Sequence, residues 1–413
     1  MTLEPSPHLG MSTLTLTPAR RLAILVTLGA LSAFGPLSLD LYLPSLPDLA
    51  ADLGATEALG QLTISLCMIG LAAGQLLVGP VSDRTGRRVP LLIGVALYAV
   101  TSVLCALAPS IWALIALRLL QGLAGAAGIV IARAIVRDLF EGAEAARVFS
   151  LMVLVTGLAP ILAPLAGAQI ARFADWRGQF VVLAVIGALL AAAACTLPET
   201  LPASRRHDGG LRATLRQFGA LVTDRWFLVH ALVLSAGGCA LFAYISFSSF
   251  VLQNGYGMSG QAFSVVFATN AVGLMLSGNL NRVALRRFPP RRMLTAGVST
   301  GLAGACVAVA AVQFGWGLPG LLPGIFVTVF GMGMIMPNAT ALAMEPHAER
   351  AGTASALLGT LQFLAGATVP PLVATGGATA SAMTWTMAGG MAAGLALLGL
   401  VRTARRPVTA RVR

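Results

Sequence analysis

Much of the fold class follows from one short charged stretch, Gly79-Pro80-Val81-Ser82-Asp83-Arg84-Thr85-Gly86-Arg87-Arg88. It separates the apolar runs 58–79 and 89–108, each near the roughly 20 residues that a helix needs to cross a bilayer core. Within the stretch, Gly86 permits a tight turn, and Asp83 lies near a helix end where it can pair with an arginine. The stretch therefore predicts a charged turn between two membrane-spanning helices.

The same alternation of apolar and charged segments runs along the whole chain. Of the 413 residues, 57% are hydrophobic and only 10% are charged, whereas a soluble domain has about 45–50% apolar and about 25% charged residues. The apolar segments span residues 21–43, 58–79, 89–108, 111–134, 148–171, 179–197, 226–252, 261–281, 292–313, 318–343, 352–374 and 381–402. We therefore predict an all-α membrane protein with twelve transmembrane helices in two six-helix bundles.

The distribution of charge predicts the orientation in the membrane. All 27 basic residues are arginines, and they concentrate in alternate loops, whereas the loop after the first segment carries Asp48, Asp52 and Glu57. Because cytoplasmic loops are enriched in basic residues, both termini are expected to be cytoplasmic, in a bacterial inner membrane. The net charge of +12 then reflects topology, so the expected partner is the lipid bilayer and not nucleic acid.

The longest arginine-rich loop divides the chain into two halves. The predicted units are a disordered cytoplasmic tail 1–20, a six-helix bundle 21–197, a cytoplasmic linker 198–225, a second bundle 226–402 and a tail 403–413. A weak internal repeat supports this division, since adding 199 to Gly79 and to the pair Arg87-Arg88 gives Gly278 and Arg286-Arg287. These residues fall on the equivalent loop of the second half, as expected for a duplicated bundle.

Two of the charged residues inside the predicted spans are candidates for function. Arg118 is deep in the segment 111–134, where a charge is costly unless it faces a polar interior or a partner. Asp40 is the only acid well inside a span, and a carboxyl whose protonation changes with its surroundings is what a proton carrier needs. The structural alternatives are an arginine that binds backbone carbonyls and an aspartate that meets water near the outer end of its helix.

Four motifs resemble those of the major facilitator superfamily of transporters. The 79–88 stretch is similar to the signature loop of that superfamily, and Arg118-Leu-Leu-Gln121-Gly122 resembles its fourth-helix motif, which is linked with proton transfer. In the fifth helix, the segment from Ala159 to Ala168 resembles the antiporter motif of drug exporters. It retains Pro160, Pro164 and Gly167 but has alanine at three of the four glycine positions. The segment Leu39-Asp40-Leu41-Tyr42-Leu43-Pro44 resembles the first-helix signature of the Bcr/CflA drug-resistance family.

The resemblance covers about residues 20–402 and implies proton-coupled multidrug efflux by alternating access. The expected substrates are small drug-like molecules, for example chloramphenicol-like or bicyclomycin-like compounds. Asp40 would carry the proton and Arg118 would adjust its pKa. The gating residues would be Gly79, Asp83, Arg84, Gly86, Arg87 and Arg88, which would latch the two bundles in one conformation or, alternatively, form a basic loop that only sets topology. No cofactor is expected, because the proton gradient would drive transport. A monomer is the expected functional unit.

Weaker candidates for the lining of a substrate cavity are polar and aromatic residues within spans. They are Tyr42, Gln121, Phe242, Tyr244, Asn270, Asn338 and Gln362, which could equally make interhelical bonds or lie at the membrane interface. The sequence contains no nucleotide-binding loop, metal-ligand cluster or hydrolytic triad, so an enzyme is not expected. The alternatives that remain are a metabolite exporter or importer of the same superfamily and, from another class, a channel or a non-transporting receptor.

Overall fold

The computed structural model describes residues 18–140, 142–206 and 211–402, and every regular element in these ranges is helical. The α-helices are α1 (Pro18–Ser32), α2 (Phe34–Asp40), α3 (Leu46–Asp52), α4 (Glu57–Thr85), α5 (Arg88–Ala106), α6 (Ile111–Leu139), α7 (Gly142–Ile170), α8 (Trp176–Cys195), α9 (Leu211–Thr223), α10 (Arg225–Phe250), α11 (Gly260–Ala284), α12 (Pro290–Gln313), α13 (Gly317–Met344), α14 (Ala351–Ala374) and α15 (Ala380–Arg402). Eleven helical segments in the described ranges are long and apolar enough to cross a membrane, and a bent pair at the start makes twelve. The prediction of an all-α membrane protein with twelve spans is confirmed.

The first span is broken, which the apolar pattern did not predict. Its two parts, Ala19–Ser32 and Phe34–Asp52, are bent by 44°. Proline lacks an N–H and its ring clashes with the carbonyl four residues earlier. α1 ends at Ser32, four residues before Pro36. α2 ends at Asp40, four residues before Pro44. The prolines therefore place Asp40 at an interruption in the middle of the span.

Close packing of small residues holds the helices together within each bundle. The first six spans pack mainly on one another, with α4 against α6, and the last six do the same, with α12 against α13. A Cβ on Gly122 of α6 would overlap the Cys67 carbonyl of α4, so these backbones are nearly in contact. Small residues permit such approach, and membrane helices associate largely through packing of this kind.

The linker between the bundles includes a helix that packs on both of them. It was predicted to be a loop, but it contains α9, whose side chains Phe218 and Leu221 are buried. Three leucines and a phenylalanine recur along α9 at helical spacing, so it has one apolar face. α9 packs against α4 of the first bundle and against α10 and α14 of the second, so it touches both halves.

The two ends of the molecule differ in how tightly the bundles meet. We call the end that carries the turn after α4 the Arg-rich end. At the opposite end Ser249 Oγ donates a hydrogen bond to the Leu43 carbonyl at 2.5 Å, and Asn254 Nδ2 donates to Glu57 at 3.2 Å. At the Arg-rich end a cavity of about 490 Å³ lies between α4, α6, α7, α9 and α14. The molecule is therefore closed at the opposite end and has an open cavity at the Arg-rich end.

Candidate functional site

Arg118 lies at the centre of the first bundle and is completely buried. Its Nη2 donates to the Ser38 carbonyl at 2.6 Å and its Nε to the Thr63 carbonyl at 3.4 Å. Its Nη1 donates to Gln121 Oε1, and its Cζ is 4.7 Å from the centroid of the Tyr42 ring. The guanidinium thus joins the first span, α4 and α6 through neutral oxygen atoms, which matches the alternative of an arginine that binds backbone carbonyls.

Asp40 is the last residue of α2, and its exposed fraction is only 4%. It makes no hydrogen bond or ion pair with any residue that the structure describes. Leu43, three residues further along, accepts a hydrogen bond from Ser249 of α10, and Asp40 is near enough to Tyr244 of α10 to interact with it electrostatically. Asp40 therefore lies next to the second bundle. This burial disagrees with the alternative interpretation, in which Asp40 meets water near the outer end of its helix.

Asp40 and Arg118 are therefore not partners in this structure, and the expected direct influence of Arg118 on Asp40 is not observed. The helix geometry gives the reason. The side chain of Ser38 turns into the first bundle, where its hydroxyl is 2.7 Å from the Tyr98 hydroxyl. Asp40 follows Ser38 by two residues, which corresponds to a rotation of about 200° around the helix axis. Asp40 therefore points away from Arg118.

The 79–88 stretch holds a network of ion pairs within the first bundle. Gly79 to Thr85 form the last turns of α4, so only the end of the stretch is a turn. Arg87 donates to Asp83 at 2.5 Å and to Asp138 of α6 at 3.0 Å. Thr200 donates to the same Asp138 at 2.9 Å. These pairs join α4, α6 and the segment after α8, all of the first bundle, and the latch between the two bundles stays a prediction.

Glu199 caps the start of α5 from a distant part of the chain. Its carboxylate accepts hydrogen bonds from the backbone N–H groups of Arg87 at 2.8 Å and Arg88 at 3.2 Å, and also from Leu201 at 2.9 Å. Burial acts to raise the pKa of Glu199, but these three hydrogen bonds and the charge of Arg206 outweigh it, so the pKa is lowered. The carboxylate is thus preferred in the ionised form at a helix N-terminus, where a negative charge is stabilising.

The fifth-helix motif packs on the interruption of the first span. Pro160, Pro164 and Gly167 all lie within α7. A Cβ on Gly167 would overlap the backbone carbonyl of Leu41, and the Gly167 carbonyl accepts a hydrogen bond from Gln179 at 3.0 Å. Only glycine permits this approach, so the motif helps to fix the backbone next to Asp40.

The cavity at the Arg-rich end is lined by residues of both bundles and of α9. Its lining comprises Gln75, Leu76, Gly79, Pro80, Asp83, Val130, Arg133, Arg137, Phe149, Phe218, Thr353, Ser355 and Ala356. Gly79, Pro80 and Asp83 of the 79–88 stretch therefore face the cavity from the first bundle. Thr353 and Ser355 face it from α14.

None of the seven predicted cavity residues lies in this lining. Tyr42 bonds to Thr63, and Gln121 to Arg118 and Ser102, all inside the first bundle. In the second bundle Asn270 donates to Tyr244, Asn338 donates to Asn281, and Phe242 and Gln362 pack between α10 and α14. Most of these polar groups satisfy one another between helices, and their assignment to a substrate cavity stays a prediction.

Sequence reasoning missed Asp138, Glu199 and Arg133 as site residues. Asp138 and Glu199 act through contacts over long distances in the chain, for which a single sequence carries no signal. Arg133 did carry a signal, because it is an arginine within the predicted span 111–134, as Arg118 is. A rule that flags every in-span arginine identifies it.

Comparison with known proteins agrees with this architecture. The chain is 41% identical over 374 residues to the "Uncharacterized MFS-type transporter YdgK" of Bacillus subtilis, covering 89% of this chain and 92% of that protein. It is 32% identical to the "Bicyclomycin resistance protein homolog" of Haemophilus influenzae, covering 85% and 88%. It is 31% identical to "Multidrug resistance protein MdtL" of Escherichia coli O157:H7, covering 81% and 83%.

Solved structures match the fold over almost the whole chain. A D-xylose-proton symporter superposes with a TM-score of 0.73 at 18% identity, covering 92% of this chain and 97% of that one. A bacterial homologue of the human lysosomal transporter Spinster, in an inward-facing and occupied conformation, also gives 0.73 at 15% identity, covering 95% and 100%. The sequence profile of the Major Facilitator Superfamily matches residues 26–370. The chain is thus a membrane transporter and not an enzyme, and it belongs to the Major Facilitator Superfamily, in its Bcr/CflA-type drug-resistance family.

Proposed function

We propose that this transporter exports small drug-like molecules in exchange for protons, from the cytoplasm across a bacterial inner membrane. The observation that carries the proposal is Asp40, a buried carboxyl at a break in the first span that has no hydrogen bond or ion pair among the described residues. It lies near Tyr244 of the other bundle. Similarity to proteins named for bicyclomycin and multidrug resistance supports the choice of substrate class.

The position of Asp40 suits a proton carrier in an alternating-access cycle. A carboxylate without a cation beside it is costly inside a bilayer, and binding a proton removes its charge. Because Asp40 lies between the bundles, a change in their relative position alters which groups surround it. Proton occupancy and conformation are then linked, and a substrate that binds one protonation state better shifts the other equilibrium by the same free energy.

We further propose that the 79–88 stretch gates the cytoplasmic end. Asp83 lines the cavity on the first bundle, and the first turn of α14 lies across it. Closing this end would bring α14 towards Asp83, where a negative charge next to a helix N-terminus is stabilising. The ion pairs of Arg87 keep Asp83 in place for that contact. In this proposal the network acts as a latch through α14, although its own ion pairs are internal to one bundle.

The decisive experiment compares Asp40→Asn with Asp48→Asn, an equally conservative change at an exposed acid of α3. Each protein is purified and placed in proteoliposomes with an imposed pH gradient, and uptake of radiolabelled chloramphenicol is followed. A resistance screen in a sensitised host identifies a replacement compound if chloramphenicol is not transported. Substrate-induced proton release is measured on the same preparations.

We expect Asp40→Asn to abolish uphill transport and proton release, while Asp48→Asn behaves like the wild type. Downhill exchange can persist in Asp40→Asn, because the substitution preserves the size and shape of the side chain. An Asp40→Asn protein that still concentrates substrate at the wild-type rate shows that Asp40 is not the carrier. A wild-type protein that protects against no compound and shows no proton-coupled flux contradicts the proposal of drug export itself.

A further inference from the structure

The cavity at the Arg-rich end has an excess of unmatched positive charge. Arg133 and Arg137 both line it and make no hydrogen bond or ion pair with any described residue. The acid in the lining, Asp83, is already engaged by Arg87 at 2.5 Å. Arg133 and Arg137 are four residues apart on one face of α6, and like charges at that spacing repel each other. An anion placed between them would relieve this repulsion.

A purely topological role does not account for Arg133. Arginines near helix ends often extend to the headgroups, and Arg137 in the last turn of α6 fits that description. Arg133 is six residues before the end of α6, which is roughly 9 Å deeper along the axis. Arg133 is exposed and not packed inside its own bundle, and it lines the cavity between the two bundles. Its surroundings are therefore those of a binding site.

The rest of the cavity lining combines aromatic and polar side chains. Phe149 of α7 and Phe218 of α9 contribute aromatic rings, while Gln75 and Ser355 contribute polar groups. A volume of about 490 Å³ is within the range of small-molecule pockets, which combine apolar walls with a few polar groups that fix orientation. Guanidinium groups pair geometrically with carboxylates, sulfonates and phosphates.

We infer that this cavity binds amphiphilic organic anions, with the acidic group between Arg133 and Arg137 and the aromatic part against Phe149 and Phe218. The inference rests on the proposed function, since it names the charge class of the exported molecules. Arg133 would then determine specificity, because it is the deeper of the two cations. Cationic molecules of the same size would be repelled from the site.

The test uses two probes of the same ring system and opposite charge, naphthalene-2-sulfonate and 2-naphthyltrimethylammonium. Their binding to the purified full-length protein in phosphatidylcholine nanodiscs is measured by titration calorimetry, with empty nanodiscs as the reference for partition into lipid. The variants are Arg133→Gln, Arg137→Gln and Arg133→Lys. Arg286→Gln is the matched control, because Arg286 is an exposed arginine outside the lining of this cavity.

We expect the wild type to bind the sulfonate more tightly than the ammonium compound. Loss of a charge-assisted hydrogen bond in Arg133→Gln should weaken sulfonate binding about tenfold or more and leave the ammonium probe unchanged or improved. Arg133→Lys should keep the preference for the anion at reduced affinity, and Arg286→Gln should bind as the wild type does.

Three results would overturn the inference. They are equal or tighter binding of the ammonium probe by the wild type, sulfonate binding unaffected by both glutamine variants, and an equal loss in the Arg286→Gln control. If Arg133→Gln does not purify as a folded protein, the inference is tested by the binding of the two probes to the wild type and to Arg137→Gln. Binding is measured without a proton gradient, so a failure here is distinct from a failure of proton-coupled export, which the Asp40→Asn experiment decides.

Discussion

Replacing Gly86 by alanine tests whether the carboxylate of Glu199 is seated at the start of α5. Gly86 has φ +98° and ψ 167°, a region that is essentially restricted to glycine, and placing another residue there costs about 1–3 kcal/mol. A Cβ would in addition overlap Glu199 Oε2 and lie 2.9 Å from a guanidinium nitrogen of Arg206. The carboxylate would have to move.

Moving the carboxylate removes the hydrogen bonds to the first N–H groups of α5, and losing such a cap typically costs about 1 kcal/mol. Backbone strain and loss of the cap together give about 2–4 kcal/mol for Gly86→Ala. Gly54→Ala is the matched control. Gly54 also has a positive φ, +58°, but a Cβ added there would have no neighbour within 4 Å, so only the strain of a left-handed residue is expected, about 1–2 kcal/mol.

The assay is the apparent melting temperature of each purified variant in one detergent. Gly86→Ala should melt clearly below Gly54→Ala, which in turn should melt slightly below the wild type. In a Glu199→Ala background the overlap is absent, so Gly86→Ala should cost less there than in the wild type. If the two glycine variants melt together, or if their effects add to that of Glu199→Ala without interaction, Glu199 is not seated at α5 as described.

Three further predictions concern packing, pH and topology. Gly167→Ala should reduce both stability and transport, because its Cβ overlaps the Leu41 carbonyl, whereas Gly157→Ala on the same helix meets only Met275 at 3.9 Å; melting and transport of the two variants check this. The lowered pKa of Glu199 implies a stabilisation that is complete above its ordinary pKa of 4.5 and is lost as the pH falls through its lower folded value. The melting difference between wild type and Glu199→Gln should therefore be largest above pH 4.5 and shrink below it. Reporter fusions after residue 208 should read cytoplasmic and those near Ala55 periplasmic; a reporter at 208 on the outside would contradict the assigned orientation.

The sequence predicted the spans well because bilayer thickness imposes a length and an apolar composition that are visible locally. The ends of the spans were less well predicted, since α4 continues to Thr85 although its apolar run ends at residue 79. Helical hydrogen bonding does not stop at the membrane surface, so hydropathy marks where the lipid ends and not where the helix ends. The interruption after Ser32 was missed, although Pro36 marks it.

For the candidate site, the sequence singled out individual residues but not the contacts between them. In-span charge identified Asp40 and Arg118, because placing a charge in lipid is costly wherever it occurs. Which groups they face depends on the rotation of α2 and α6 about their axes, and this is set by packing of the whole bundle. For the same reason the sequence showed no sign that Glu199 would bind at the start of α5, more than one hundred residues away.

At the closed end of the molecule, no ion pair between described residues joins the two bundles. Among the described residues its contacts between bundles include the hydrogen bond from Ser249 to the Leu43 carbonyl, the exposed bond between Asn254 and Glu57, the ring of Phe250 against Gly60, and Gly260 beside Pro44. None of these is an ion pair, so dissolved salt, which screens charges, has little on which to act. The opening of this end should therefore proceed at a rate nearly independent of ionic strength. Any dependence of the full cycle on ionic strength would then originate at the Arg-rich end, and measuring turnover at several salt concentrations would show which of the two movements limits it.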